Sequence, residues 1–431
     1  MELNKKIKQQ TITSIGYKVV GMIISFLFVP ILLEFLGKED YGIWITISSI
    51  LLWFSFLDFG MGLGLRNKLT RSLAVNNIKE SQSYISSAYF VIFIIFILLM
   101  FILIIISTFV DWGLVLNIGK YNNSELLYII QIAVVGFCLR FIFKLVNNLN
   151  FAIHQPSLNE LIQTFTQVTI LFALLFTTKE LIEYNNLINI TIIYSILPIG
   201  VLLMATIYFF SKRRDLIPKI NSINIKKGLE VSKLGSQFLL LQLSAIILST
   251  ILPFMVTKYI GSSKTTEYYI AFKYFNLIQV AMLLILNPYW SAVTHKYQQN
   301  DFEWIWTSFK KTMLWSLLAL VLVVVSSIFS PYIFELWVGK DIVSTIYIFW
   351  SALFVAGFVI TQPIITFING IGEIKEQMYF SIAIIVLVIP LDLVLFNYTT
   401  LGLGSFLLPP IIFRVIRSIF GFRQLKKILI K

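Results

Sequence analysis

Apolar runs of about 20 residues recur along the whole chain, separated by short polar segments. A run of that length crosses the roughly 30 Å hydrocarbon core as a helix, which satisfies every backbone N–H and C=O where water is absent. The pattern predicts about twelve spans, at residues 11–36, 41–65, 84–109, 125–153, 157–178, 187–210, 234–259, 266–294, 309–330, 343–369, 377–397 and 401–422. The fifth is the most polar, with Gln163, Thr164, Thr166 and Gln167. The longest and most basic break, Ser211–Lys233, reads as a cytoplasmic linker between two six-span lobes, residues 1–210 and 234–431. The expected fold class is an all-α polytopic membrane protein.

The two halves echo each other. The first opens with a span containing Pro30, followed by FLGKEDYGIW; the second opens with a span containing Pro253, followed by YIGSSKTTEYYIAF. Each runs from proline to glycine, through a short polar turn and a tyrosine into a new apolar span. Six spans is an even number, so both copies insert with the same orientation and the repeat axis lies along the membrane normal. Two lobes facing a central cavity are the expected result.

Composition agrees. Of 431 residues, 58% are hydrophobic and 13% charged, and the mean hydropathy is +0.86, which excludes a soluble globular domain. The first apolar run reaches Leu36 without a small-residue cleavage site, so it is expected to be a retained span rather than a leader. The single cysteine, Cys138, rules out an intrachain disulfide.

With the amino terminus taken as cytoplasmic, inside segments hold 24 Lys and Arg residues, six of them from Arg414 onward, and outside segments hold 6. That asymmetry orients the chain with both termini cytoplasmic. It also accounts for most of the net charge of +13, so no nucleic-acid partner is expected.

Four cations remain inside spans: Lys18, Arg140, Lys144 and Lys273. The stretch GFCLRFIFKLVNNLN places Arg140 and Lys144 one turn apart near the middle of the fourth span. A charge at that depth costs roughly 2.5–3.5 kcal/mol on insertion scales and normally faces a bundle interior or a wet cavity. Lys18 shares a face with Ser14, Gly21 and Ser25; Lys273 lies beside Tyr269 and Asn276. A structural arginine bonded to helix carbonyls or to Asp58 is the plainer alternative for Arg140. Guanidinium and ammonium groups in a low-dielectric site bind phosphate strongly, so a phosphate-bearing cargo is the expected ligand.

Embedded acids are fewer. Asp58 and Asp392 are the candidates for coupling to H+ or Na+, or for internal pairing. Asp392 and Glu34 fall close to the outer boundary, where interfacial water is expected to solvate them. No cofactor and no metal cluster are expected. A membrane glycan polymerase or ligase would need a large outer loop bearing catalytic groups, whereas the longest here, Val110–Ser124, carries only Asp111 and Lys120 among charges.

The stretch GYKVVGMIISFLFVPILLEFLGKEDYGIW, with LDFGMGLGLRN after it, resembles the polysaccharide-transporter branch of the MOP superfamily, and within it the Wzx-type flippases for O-antigen. The resemblance implies a MATE-like, V-shaped cavity between two six-helix lobes. It implies a carrier, not an enzyme, that moves an undecaprenyl-diphosphate-linked oligosaccharide, an O-antigen or capsule repeat unit, from the cytoplasmic to the periplasmic leaflet by alternating access. It also implies residence in a bacterial inner membrane, a cationic lumen and ion coupling. A glycan polymerase and a chain-length regulator are the partners such a pathway would add. A MATE-type extruder of cationic drugs is the rival on fold. It should carry acids in its first lobe and seventh span, yet Lys18 occupies span one and residues 234–259 hold no acid.

Overall fold

The computed structural model describes residues 2–53, 61–153, 155–177, 186–236, 250–372 and 375–429. The described residues are almost entirely helical. Among the described residues ten helices are long and apolar enough to cross a membrane, and the first, Ile12–Trp53, takes in the first expected span and the second as far as Trp53. The seventh expected span falls largely on residues outside the described set, with only its last turns present as a short helix, Leu252–Tyr259.

In the amino-terminal unit, residues 1–239, α1 (Glu2–Trp53) contains one non-helical residue, Gly37, at φ 72° and ψ 173°. This left-handed backbone suits glycine, which has no Cβ to clash. There follow α2 (Met61–Ala74), α3 (Ile78–Thr108), α4 (Trp112–Leu116), α5 (Asn123–Phe143), α6 (Leu145–Ala152), α7 (Ser157–Thr177), α8 (Asn186–Lys212) and α9 (Ile225–Ser236). The carboxy-terminal unit, residues 240–431, holds α10 (Leu252–Tyr259), α11 (Ser262–Gln298), α12 (Phe302–Val338), α13 (Thr345–Ile371), α14 (Lys375–Tyr398) and α15 (Gly404–Leu429).

The echo in the sequence recurs in the packing. In the first unit α3 packs on α5, α5 on α8 and α7 on α8; in the second α12 packs on α13, α13 on α15 and α14 on α15. These are corresponding pairs if the fourth span of each half is central. Burial follows the same order: 17% for both third spans, α3 and α12, and 22% for both fifth spans, α7 and α14. The third spans expose rows of apolar side chains, Phe93, Leu98, Phe101 and Ile105 on one and Leu314, Leu318, Val321 and Leu322 on the other, as a lipid-facing helix should. The fourth spans are the most enclosed of each set, at 44% for α5–α6 and 67% for α13.

The turn after the first span of each half is also built alike. Gly261 has φ +130°, and it precedes Glu267 as Gly37 precedes Asp40; both acids are buried. Asp40 accepts from Lys120 Nζ at 2.8 and 2.9 Å and from the Tyr121 hydroxyl at 2.7 Å. Glu267 accepts from Lys264 Nζ at 2.6 Å, from Ser344 N at 3.0 Å and from the Ser344 hydroxyl. Residues 120–121 lead into α5 and Ser344 caps α13, so each acid fastens the start of its unit's central helix.

The basic segment after α8 is structured in the described residues. Short 3-10 turns at Arg214–Leu216 and Ile220–Ser222 lead into α9, which packs on α2 and α3. Lys68 donates to Glu230 at 3.1 Å, and Lys227 lies 4.9 Å from the Tyr84 ring centroid. Gly64 meets the backbone carbonyl of Val231 so closely that a Cβ would overlap it.

Candidate functional site

Two side-chain hydrogen bonds set the heights of the first unit's cations. Thr164 donates to the Tyr17 carbonyl at 2.9 Å, fixing α7 against α1. Asn159 donates to the Asn147 carbonyl at 2.9 Å and accepts from Asn150 at 2.9 Å, fixing the other end of α7 against α6. With 1.5 Å of rise per residue, Lys18 and Arg140 come to about the same height, and Lys144 lies about 6 Å nearer the Asn147 end. Arg140 and Lys144 are exposed and Lys18 is half-buried.

Lys144 joins α5 to α6 and stands one helical turn from Arg140, its backbone N–H donating to the Arg140 carbonyl at 2.9 Å. Its ammonium lies 5.1 Å from the Phe141 ring centroid. Arg140 has no hydrogen bond or ion pair among the described residues, and the alternative partner Asp58 lies outside them.

In the second unit Lys273 on α11 is half-buried with its ammonium 5.6 Å from the Tyr269 ring. Its chain neighbour Phe272 stacks on Tyr268 at 5.8 Å and meets Phe354 of α13 edge-on at 5.9 Å. On the same Phe354 ring, at 4.2 Å, lies the guanidinium of Arg414, which also donates to the Phe354 carbonyl at 3.5 Å.

Arg414 was counted above with the cytoplasmic tail, and the structure corrects this. α15 continues to Leu429, so Arg414 stands ten residues, about 15 Å, into the helix, and Arg417 follows one turn later. The expected span 401–422 already contained both, but the count of inside charges treated them as loop. Arg417 donates to Gln377 Oε1 at 2.6 Å.

Ion pairs keep away from this layer. Those among the described residues join Lys68–Glu230, Lys120–Asp40, Arg213–Asp215, Lys264–Glu267, Lys296–Asp301 and Lys340–Glu335, all outside the spans or at helix ends. None of Lys18, Arg140, Lys273, Arg414 or Arg417 has a carboxylate within ion-pair distance among the described residues. A ring face under a cation offsets part of its desolvation, about 0.5–2 kcal/mol, yet leaves the charge and most N–H groups available. That arrangement suits transient capture of an anion.

Asp392 also departs from expectation. It is not solvated at an interface: its exposure is 0%, and neither carboxylate oxygen has a hydrogen-bond partner. Position near the end of an apolar run cannot distinguish a lipid-facing or wet residue from one turned against a neighbouring helix. Among the described residues no group of three or more His, Cys, Asp or Glu could hold a metal ion.

The fold is similar to that of solved MATE family transporters. The structure superposes on an inward-facing multidrug resistance MATE family transporter with a TM-score of 0.73 at 14% identity, covering 97% of this chain and 98% of that one. It also superposes on a MOP superfamily transporter of Pyrococcus furiosus Vc1 with a TM-score of 0.61 at 14% identity, covering 98% and 94%.

The sequence profile of the polysaccharide biosynthesis protein family matches residues 7–295, and the chain belongs to that family. The MatE profile matches residues 238–394. A candidate O-antigen export protein of Yersinia pseudotuberculosis is 25% identical over 303 residues, 67% of this chain and 65% of that protein. A candidate O-antigen transporter of Salmonella typhimurium is 34% identical over 77 residues, 18% of this chain and 17% of that protein.

Proposed function

We propose that the chain is a flippase for a polyprenyl-diphosphate-linked oligosaccharide, an O-antigen or capsule repeat unit, working by alternating access in a bacterial inner membrane with both termini cytoplasmic. The observation that carries this reading is the set of mid-span cations in each unit, Lys18 and Arg140 in the first and Lys273 and Arg414 in the second, with no carboxylate in ion-pair distance among the described residues. A diphosphate-linked glycan cannot cross hydrocarbon unaided, whereas its polyprenyl tail dissolves there. The protein's task is to replace the water around the diphosphate. Lys18, Arg140 and Lys144 in the first unit, and Lys273 and Arg414 in the second, supply charge-assisted hydrogen bonds for that purpose. No covalent step is required, and the names of the relatives, export protein and transporter, support a carrier rather than an enzyme.

The test is surface display of the glycan in cells whose own flippase gene is deleted. Arg140→Ala and Lys273→Ala at normal protein levels are expected to lower display several-fold. Unchanged display in both would remove the cations from the mechanism.

A second reading, extrusion of cationic drugs, is favoured by the MatE profile over residues 238–394. Arg140 and Lys273 oppose it, since their charges, with no carboxylate in ion-pair distance among the described residues, would repel such a cargo. Proton-driven uptake of a cationic dye into inverted vesicles, abolished by Arg140→Ala, would establish it instead.

A further inference from the structure

Asp392 is the buried acid of α14, Glu376 being exposed, and its surroundings are unusual. A buried carboxylate ordinarily gathers two or three donors, as Asp40 and Glu267 do. Asp392 gathers none among the described residues: both oxygens are shut off from solvent without a partner there. A bare carboxylate in an apolar helix interface is far costlier than the neutral acid, so such a group holds a proton rather than a charge.

The charged and titratable groups around it do not alter that balance. α14 packs chiefly on α15, whose cations are Arg414, Arg417, Arg423, Lys426 and Lys427 and which carries no acid. Arg414 is held by Phe354 and Arg417 by Gln377, and none pairs with Asp392. On α14 itself, Lys375 and Glu376 lie at the opposite end and Tyr398 is exposed. Tyr259 of α10 packs on Phe396, one turn beyond.

Asp392 lies near one end of its helix. Six residues, about 9 Å, separate it from Tyr398. At that same end three further buried polar atoms lack partners: Trp350 Nε1 and Ser351 Oγ on α13, and Ser405 Oγ on α15. The Trp350 ring lies against Gly404 so closely that a Cβ there would overlap it, which puts the indole beside Ser405. Prolines interrupt the hydrogen bonding of both helices nearby, Pro390 in α14 and Pro409 with Pro410 in α15, and helices weakened in this way part more readily.

We propose that Asp392 is a proton-binding site of the carboxy-terminal lobe, loaded from the Tyr398 end when α14 and α15 separate at their prolines. The step is simple: one proton adds to a carboxylate oxygen when water reaches it, and the neutral carboxyl is enclosed as the helices close. The bound species is a proton and not a metal cation, because among the described residues neither carboxylate oxygen has a polar partner and no second acid stands beside it to complete an oxygen shell. That this loading drives transport rests on the reading given above; that the site binds a proton does not.

The experiment uses the whole protein in lipid nanodiscs without substrate. A hydrophobic carbodiimide reacts with protonated carboxyls in apolar surroundings and forms a stable N-acylurea detectable by peptide mass. Modification of Asp392 is expected near neutral pH, falling at least ten-fold as the pH is raised, unchanged by sodium chloride against potassium chloride. Exposed Glu376 serves as the internal control and stays unmodified near neutral pH.

Asp392→Asn, which mimics the neutral acid, is expected to fold normally and to lose the modification at that peptide. Absence of modification in folded protein would overturn the proposal, as would protection by sodium at constant pH. Because no glycan is present, these outcomes are independent of whether the cargo has been assigned correctly.

Discussion

Asp40 and Lys120 stand 80 residues apart in the chain and meet through both carboxylate oxygens, at 2.9 and 2.8 Å from one ammonium. Tyr121 adds a third donor to the same acid, and burial first, then the Asp40 carboxylate, pushes its phenol above the ordinary range. Asp40→Ala would leave the lysine and phenol without their acceptor. Lys120 is 46% exposed and can turn to water, so the expected loss is about 1–3 kcal/mol. Thermal unfolding in detergent measures it; an unchanged midpoint would mean that the contact fastens nothing. Glu267→Ala should act in the same direction in the other unit, because Ser344 loses its acceptor there.

Gly64→Ala tests the docking of α9. The added methyl would enter the space of the Val231 carbonyl, a backbone atom that cannot rotate aside. Overpacking of this kind costs about 1–3 kcal/mol, enough to displace a short helix held by one ion pair and a few contacts. Limited proteolysis between Ser211 and Lys233 should speed up several-fold in folded protein. Equal rates would show that the helix docks through other contacts.

The Asp301 carboxylate caps α12, accepting from Trp304 N at 3.2 Å, and also accepts from Lys296 Nζ at 2.8 Å. The lysine hydrogen bond first, then the backbone one, holds its pKa below the usual carboxylate range. A depressed value means that the stabilisation is complete above the unfolded-state value, about 3.9, and is lost as the pH falls through the folded one. Protection of the first turn of α12 against hydrogen exchange, relative to the intrinsic rate at each pH, should therefore fall below about pH 4. In Asp301→Asn the lysine attraction is gone and that pH dependence should disappear; its persistence would assign the effect elsewhere.

Arg414 offers the sharpest functional comparison. Arg414→Leu keeps a long side chain over Phe354 but removes charge and donors, and should lower surface glycan about ten-fold, the effect of one lost charge-assisted hydrogen bond. Arg414→Lys should restore part of it, since an ammonium keeps the charge without the planar fork. If the leucine variant displays glycan normally at equal abundance, the residue is a packing element alone.

Much of this was legible from the chain, because hydropathy and span length are strong signals in a solvent that forbids unpaired backbone. The kinship of FLGKEDYGIW and YIGSSKTTEYYIAF foretold matching turns at Gly37 and Gly261, although it did not reveal that each shelters a buried acid. Arg414 and Arg417 were misplaced for a definable reason. Basic residues near a carboxy terminus follow the same statistics whether the last helix has ended or continues, and only the backbone shows it running to Leu429. Asp392 was misjudged because depth along a helix says nothing of rotation about its axis. Asp58 falls outside the described residues.

The interruption at Gly37 has a practical side. The first two spans are joined through a single aberrant residue, and three positions later Asp40 is already clamped to Lys120. An epitope tag or protease site placed there, or at Lys120 and Tyr121 on the other side, would have to unpick the clamp, so the same insertion is better borne beside exposed Phe109, ahead of the short helix α4.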